Sequence, residues 1–186
     1  MGISIHYSGE IRDQKMISSL TEEVKDICRS LDWESHTFNY PKIKGVCFAP
    51  NKSEPIFLTF NNEGRMLSPL ALDSINTQYG LTEELYYTTS TKTQFAGVWA
   101  HIAIIRLLKY LDKKYLKNFV VSDEGNYWET GNEKIVTEQF RKITVAMDIY
   151  EEAFKESPTF PNESAKSLLN RLEKILKEKF RDENKK

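Results

Sequence analysis

The stretch VWAHIAIIRLLKYLDKK, from Val98 to Lys114, decides the fold, because it predicts a helix that is apolar on nearly every side. Such a helix packs deep inside a domain. Lysines in its last turn complement the negative end of the helix dipole, so this charge run requires no nucleic-acid partner. A short strand is predicted directly after the helix, over Phe119–Ser122.

The chain before this helix predicts mostly strands. Apolar and polar residues alternate in ISIHYSG, residues 3–9, which indicates a first strand with two different faces. An amphipathic helix is predicted over 17–31, and residues 73–84 are predicted as a loop. Further strands are predicted over Trp33–Asn39, Lys44–Ala49, Ile56–Asn61, Arg65–Leu72 and Leu85–Phe95, with a hairpin turn at Asn61–Arg65.

The chain after Phe119–Ser122 predicts two helices. Apolar residues from Val136 to Phe154 recur at steps of three and four, SPTFPN breaks the pattern at 157–162, and a second apolar series follows. This is typical of a helical hairpin. The sequence therefore predicts an α+β fold with a mainly antiparallel sheet, helices packed on one face and a C-terminal helical hairpin. Residues 1–156 are predicted to form one domain, with 157–186 as a helical appendage packed on it.

Composition excludes several classes of protein. The chain has 26 basic and 27 acidic residues, and this balance argues against a broad nucleic-acid surface. Since no segment approaches the roughly 20 apolar residues of a membrane span, no membrane association is predicted. The N-terminus does not resemble a signal peptide. Cys28 and Cys47 are predicted to be reduced and buried, and a cytoplasmic location is expected.

The loop VSDEGNYWETG, residues 121–131, contains an unusual number of acids and aromatics. Thr130 and Glu133 fit a capping box at the start of the following helix. One reading of the rest is a turn whose aromatics fold back on the core. The other is an exposed loop that contacts a ligand, because loops on rigid scaffolds often carry function. The candidate binding residues here are Asp123, Glu124, Tyr127, Trp128 and Glu129.

Other candidate binding residues lie on the strands and on the apolar helix. His6 and Ser8 share one strand face, while Lys92 and Gln94 close a hydroxyl-rich run that is either a solvated strand face or a surface for a polar ligand. His101 is expected to be a hydrogen-bonded core residue, with a metal-binding or general-base role as the alternative. The sequence lacks HExxH, zinc-type His/Cys spacing, a P-loop, GxGxxG and GxSxG, so no cofactor or metal is predicted.

The segments HYSG, KTQFAGVWAHIAIIRLLKYL and VSDEGNYWETG together resemble a family of uncharacterised bacterial proteins that share these blocks in this order. The resemblance covers about residues 1–150 and leaves out the chain after Ser157. It brings no activity, cofactor or partner. It implies a bacterial, cytosolic protein and suggests that the three blocks converge in space.

The leading hypothesis is a non-enzymatic binding or interaction protein, whose partner is another protein or a polar small molecule. The 123–129 loop and the strand face of Ser4, His6 and Ser8 would form its surface, and a homodimer through the C-terminal helices is also considered. The alternative is a small hydrolase or metal-dependent enzyme. Its residues would be His6, His101, Asp123, Glu124 and Glu129, and it requires these side chains to converge in one concave pocket.

Overall fold

The protein is described here by a computed structural model, which covers residues 2–74, 82–158, 160 and 163–183. The chain divides into two units, Met1–Phe140 and Arg141–Lys186. The α+β prediction is confirmed, because the first unit combines antiparallel strands with helices and the second is helical. The domain boundary predicted between residues 156 and 157 stays a prediction.

Six strands and seven helices occur in the described residues. The strands are β1 Ser4–Ile11, β2 Glu34–Tyr40, β3 Ile43–Ala49, β4 Ile56–Phe60, β5 Thr89–Lys92 and β6 Leu116–Asp123. The helices are α1 Ile17–Ser30, α2 Pro69–Ser74, α3 Glu83–Tyr87, α4 Gly97–Tyr115, α5 Tyr127–Thr130, α6 Glu133–Lys155 and α7 Ala165–Glu183, and a single 3-10 turn, Gln14–Met16, precedes α1.

The first sheet has the order β5-β1-β6, with both pairs antiparallel. Alternation along β1 places Ile3, Ile5 and Tyr7 on one face, where each is at most 1% exposed. Helix α4 contacts β6 and buries Ile104 and Ile105 in the same core. The apolar stretch identified in the sequence is therefore a core helix, as predicted.

The second sheet has the order β2-β3-β4 and is also antiparallel. Helix α1 contacts β2 and β3, and the alternate residues Val46, Phe48, Leu58 and Phe60 are almost completely buried. The turn before Arg65 closes as predicted: the N–H of Gly64 donates to the carbonyl of Asn61, and Gly64 has a φ of +84°.

Side chains of the first sheet bind the backbone at the edge of the second. The hydroxyl of Tyr7 accepts from the N–H of Phe57 at 2.9 Å and donates to its carbonyl at 3.1 Å. The hydroxyl of Thr91 donates to the carbonyl of Pro55 at 3.1 Å. Burial raises the pKa of Tyr7, so its hydroxyl keeps the proton that it donates. These bonds satisfy backbone groups at an edge that another strand would otherwise pair.

Two strand predictions were wrong in part. Only Arg65 and Met66 make bridges in the predicted strand Arg65–Leu72, because Pro69 begins helix α2. The predicted strand Leu85–Phe95 begins with helix α3, which Thr82 caps by accepting from the N–H of Leu85. β-branched residues then form only the short β5. In the predicted loop 73–84, residues 75–81 lie outside the described residues.

The capping box predicted at Thr130 was wrong. Thr130 is the last residue of α5, and α6 begins at Glu133. Asn132 precedes α6, and its side-chain oxygen accepts from the N–H of Lys134 at 2.9 Å. Gly131 has a left-handed φ of +59° between the two helices. The helix therefore starts later than the Thr-x-x-Glu pattern indicates.

The second unit contains the predicted helical hairpin. The rings of Tyr150 on α6 and Phe180 on α7 meet edge to face, with centroids 5.8 Å apart. The ammonium of Lys179 lies 3.0 Å from a carboxylate oxygen of Glu152 and 2.8 Å from one of Glu156. Across the described residues of the whole chain, no helix is both long enough and apolar enough to span a membrane.

Candidate functional site

A buried chain of polar side chains connects the residue after β5 with α4 and β6. The hydroxyl oxygen of Thr93 lies 2.7 Å from Nδ1 of His101, and Nε2 of His101 lies 2.9 Å from Oδ1 of Asp123. Thr93 and His101 are 0% exposed and Asp123 is 5% exposed. Two of these residues, His101 and Asp123, are sequence candidates that the fold brings into contact.

Asp123 also organises the loop that follows β6. Its Oδ1 accepts from the N–H of Gly125 at 2.7 Å, and its Oδ2 accepts from those of Tyr127 and Trp128 at 2.7 and 2.9 Å. A Cβ at Gly125 would lie 2.5 Å from Nε2 of His101, so only glycine fits there. The carboxylate therefore holds the N-terminus of α5 next to the imidazole.

The electrostatics of the pair favour an ionised carboxylate. Burial by itself raises the pKa of Asp123, but the facing imidazole and the backbone N–H donors more than offset it, and the pKa lies below its usual value. Nε2 of His101 faces this carboxylate at 2.9 Å but does not have the alignment of a hydrogen bond, so the contact is primarily electrostatic. The hydroxyl of Thr93 is at hydrogen-bond distance from the other nitrogen of His101, and it also donates to the carbonyl of Ile3.

This order of hydroxyl, imidazole and carboxylate resembles that of a nucleophilic triad. A triad, however, needs a hydroxyl that a substrate can reach, whereas the side chain of Thr93 is fully enclosed. The hydroxyl also lies 3.3 Å from the carbonyl of Ile3, at the edge of β1. In this arrangement the three side chains join elements of the core.

His6 and Ser8 lie on the opposite face of the first sheet. His6 is paired with Ser90 on β5 and with Ser122 on β6. Because side chains alternate along a strand, these three lie on the face opposite to that of the buried residues Ile5 and Tyr7. Asp123 is opposite Ile5, which places it on the buried face. His6 and Ser8 therefore do not converge with His101 and Asp123.

The remaining acids of the candidate loop are dispersed. Glu124 bonds the backbone of β1, with its Oε2 accepting from the N–H of Ser4 at 2.7 Å. Glu129 is exposed in the first turn of α5. The pocket that the enzyme hypothesis requires is not formed by these described residues.

The two aromatics of the loop pack inward. Tyr127 is 5% exposed, and its hydroxyl accepts from Nε of Arg106 at 3.1 Å. Trp128 is half-buried, and its ring meets that of Phe119 edge to face at 5.9 Å. The ammonium of Lys109 lies 5.4 Å from the Trp128 ring. Of the two readings of the loop, the geometry matches the turn whose aromatics fold back on the core.

Lys92 and Gln94 lie together at the end of β5. A Cβ placed on Gly2 would come within 2.9 Å of Nζ of Lys92 and 2.7 Å of Oε1 of Gln94, so both side chains cover the N-terminus of β1. The backbone N–H of Lys92 donates to the carboxylate of Glu54 at 2.8 Å. In the hydroxyl-rich run before them, Thr89 and Thr91 are fully buried. The solvated face that the sequence predicts is therefore limited to the alternate residues, such as Ser90.

The clefts outside the buried chain include one polar cleft and one mostly apolar groove. A polar cleft of about 380 Å³ is lined by Ser8, Glu10, Arg65 and Tyr87, with the guanidinium of Arg65 3.5 Å from the centre of the Tyr87 ring. A larger groove of about 630 Å³ runs between α1 and α4. The residues that line this α1–α4 groove are mostly apolar: Ile27, Leu31, Val98, Trp99, Ile102 and Leu107.

Trp99 is the most exposed aromatic of the α1–α4 groove. Its side chain is 64% exposed, and its ring contacts Trp33 edge to face, with centroids 6.4 Å apart. An ion pair of 2.8 Å between Arg106 and Glu133 borders the groove. The sequence reading assigned Trp99 to the core together with its helix. Trp99 lies in the apolar first half of α4, residues 97–105, where the sequence offers no signal that the indole faces outward.

The residues that the structure describes contain no group of three or more His, Cys, Asp or Glu side chains arranged to hold a metal ion. Comparison with protein-family models, with curated proteins and with solved structures found no match to this chain. Function is therefore inferred from the geometry alone.

Proposed function

We propose that this protein is a non-enzymatic interaction module, and that its partner is a protein that inserts apolar side chains into the α1–α4 groove. The observation that carries the proposal is the 64% exposed indole of Trp99 in a largely apolar groove of about 630 Å³. Large exposed apolar surfaces mark interaction sites, and tryptophan is enriched among residues that dominate binding energy.

The border of the groove supports a protein partner. Arg106 and Glu133 pair beside the apolar residues, and the hydroxyl of Tyr110 at the far end bonds the carboxylate of Glu23. An apolar centre with a polar rim is the usual anatomy of a protein–protein interface. A polar small molecule, the other partner considered from the sequence, fits the cleft beside Ser8 better than this groove.

The open face of the first sheet is a second surface within the same proposal. Ser4, His6 and Ser8 form it with Ser90 and Ser122, and it offers hydroxyl and imidazole groups to a polar ligand. The 123–129 loop contributes less than expected, because Tyr127 is buried. A bacterial source and a cytoplasmic location belong to the proposal as expectations from the sequence, whereas the homodimer through the C-terminal helices stays a prediction outside it.

Photo-cross-linking tests the groove directly. A photoreactive phenylalanine analogue placed at Trp99 is expected to form a specific adduct with another protein in cells of the source organism, identified by mass spectrometry. The matched control is the same analogue at Phe95, which is 59% exposed but does not line the groove. Identical adducts at both positions, or none at Trp99, would contradict the proposal.

A hydrolase is the second candidate, because Thr93, His101 and Asp123 follow the order of a triad; it requires an opening that exposes the enclosed hydroxyl of Thr93 to a substrate. An activated ester such as p-nitrophenyl acetate provides the test. Hydrolysis that Thr93→Val and His101→Gln abolish in folded protein would support an enzyme. Equal rates in the wild type and both variants would remove this candidate.

A further inference from the structure

The outer edge of β2 differs from the edges of β4 and β5. At the edge of β4, the hydroxyl of Tyr7 bonds both backbone groups of Phe57. At β5, the N–H of Lys92 donates to Glu54. By contrast, the hydrogen bonds of the described residues include none from another segment to the outer edge of β2, and Ser35, Thr37 and Asn39 are exposed.

The register shows which backbone groups point outward. Tyr7 bonds both backbone groups of Phe57, so these groups point away from β3. Phe57 is opposite Cys47, and Cys47 is opposite His36. Since backbone groups alternate between the two sides of an antiparallel strand, those of Cys47 point toward β2 and those of His36 point toward β3.

The neighbours of His36 along β2 must then point the other way. Both backbone groups of Ser35, Thr37 and Asn39 face away from β3 along an edge of alternating, unpaired donors and acceptors. From Ser35 to Tyr40 the strand contains no Lys, Pro or bulge, which are the features that usually prevent an edge from pairing. The edge is therefore competent to accept another strand.

The side chains of β2 are complementary to those of a second copy of the same strand. Antiparallel pairing about Thr37 sets Thr37 opposite itself and Ser35 opposite Asn39. The outward backbone groups of one copy then meet those of the other. His36 of each copy falls opposite Phe38 of the other in a non-hydrogen-bonded pair, where side chains approach most closely. The two rings already stack edge to face at 5.1 Å within one chain.

Charge complementarity favours the same register. The N-terminal end of β2 is acidic, with Asp32 and Glu34, and the C-terminal end is followed by Lys42 and Lys44. Asp32, Glu34 and Lys42 are exposed. Antiparallel pairing about Thr37 places the acidic end of each copy beside the basic end of the other, at both ends of the interface. A parallel pairing would instead set like charges side by side.

We infer that two copies of this chain associate through β2, pairing antiparallel about Thr37 to form one continuous six-stranded sheet. The interface is isologous, because each copy contributes the same strand. It uses backbone hydrogen bonds for affinity, as strand addition does in general. It is independent of the α1–α4 groove, so either proposal can fail without the other.

Sedimentation velocity of the full chain over a concentration series tests the interface. For the wild type, the apparent mass is expected to rise with concentration toward twice the mass of one chain. Thr37→Pro is expected to stay at the mass of one chain, because proline removes an N–H that only the partner would bind and is tolerated at a strand edge. Thr37→Val keeps the N–H and is the matched control, with an expected mass equal to that of the wild type.

A pair of charge variants tests the register. Thr37→Lys and Thr37→Glu are each expected to be monomeric, because the two-fold axis sets like charges opposite each other. An equimolar mixture of the two is expected to recover the dimer. This readout does not depend on whether Thr37→Pro folds.

Three outcomes would overturn the inference. One is a wild type that stays monomeric at every concentration. Another is a dimer that forms equally well in the separate Thr37→Lys and Thr37→Glu samples, which would place the contact elsewhere, for instance on the C-terminal helices. The third is a wild type purified with a different polypeptide that Thr37→Pro releases, because the edge would then accept a foreign strand.

Discussion

Nε2 of His101 lies 2.9 Å from Oδ1 of Asp123, and both side chains are fully enclosed. The contact joins α4 to the end of β6, and Asp123 extends it to α5 through three backbone N–H groups. Two residues that the sequence offers as catalytic candidates thus support the architecture of the first unit. Buried charged and polar groups of this kind are costly to leave unpaired.

Asp123→Asn is expected to lower the free energy of unfolding by about 2–4 kcal/mol. The amide places a donor where backbone N–H groups require an acceptor, and it removes the charge that faces His101. Urea denaturation at neutral pH measures the change. Glu129→Gln in the same loop is the control, since Glu129 is exposed. Equal midpoints for the two variants would contradict the structural role of Asp123.

Tyr7→Phe is expected to lower the free energy of unfolding by about 1–3 kcal/mol, because it leaves the N–H and the carbonyl of Phe57 without their partner in the core. Amide hydrogen exchange at Phe57 should accelerate more than exchange within the β2–β3 ladder. Tyr40→Phe is the matched control, because Tyr40 is 57% exposed. Unchanged protection of the Phe57 amide would show that Tyr7 does not connect the sheets.

Glu23 contributes to the free energy of unfolding in a pH-dependent way. Burial raises its pKa, but hydrogen bonds from Lys114, Tyr110 and Tyr115 outweigh burial and lower the pKa to about 2. A folded pKa below the unfolded one gives stability that is fully present above about pH 5 and is lost as the pH falls toward 2. With solvent screening, the effect is about 1 kcal/mol.

The stability of the wild type relative to Glu23→Gln should therefore decline between about pH 5 and pH 2. Thermal unfolding across this range provides the measurement. Glu22→Gln, at a neighbouring side chain that is 64% exposed, should show a smaller change. A stability difference that does not vary with pH would exclude this account of Glu23.

Asn132→Ala is expected to destabilise α6 by about 1 kcal/mol, because its side-chain oxygen caps the N–H of Lys134. Asn132→Asp keeps the acceptor and should be close to neutral. The denaturant midpoint measures each effect. A neutral Asn132→Ala together with a costly Thr130→Ala would restore the capping box that the sequence predicts.

Most elements of the fold could be predicted because they depend on local periodicity. Alternation of apolar residues predicted β1, and the apolar stretch Val98–Lys114 predicted α4 within one residue at each end. The wrong strands at Arg65–Leu72 and Leu85–Phe95 have a local cause as well. The β-branched and aromatic residues of Leu85–Phe95 fit a strand, but the Thr82 cap starts helix α3 there, and in Arg65–Leu72 Pro69 starts helix α2.

The candidate site could be predicted only in part. The composition of the loop around Asp123 identifies it as a candidate. Its aromatics fold inward, which matches the first of the two interpretations, a turn whose aromatics pack on the core. The contacts of Thr93, His101 and Asp123 have no signature in the spacing of the sequence, because the three residues lie after β5, on α4 and at the end of β6 and meet only through tertiary packing. The sequence does not predict the outward direction of Trp99 either, because a helix that is apolar on nearly every side does not reveal which side is left uncovered.

The sequence by itself determined the class of the fold, the core helix and the hairpin at the C-terminus, because each depends on patterns within one segment. The tertiary structure alone decided which polar groups meet. The pairing order β5-β1-β6 puts His6 on one face and Asp123 on the other, although both were candidates for one site. Alternation along a strand separates faces, and only the pairing of strands and the packing of α4 decide which face is buried.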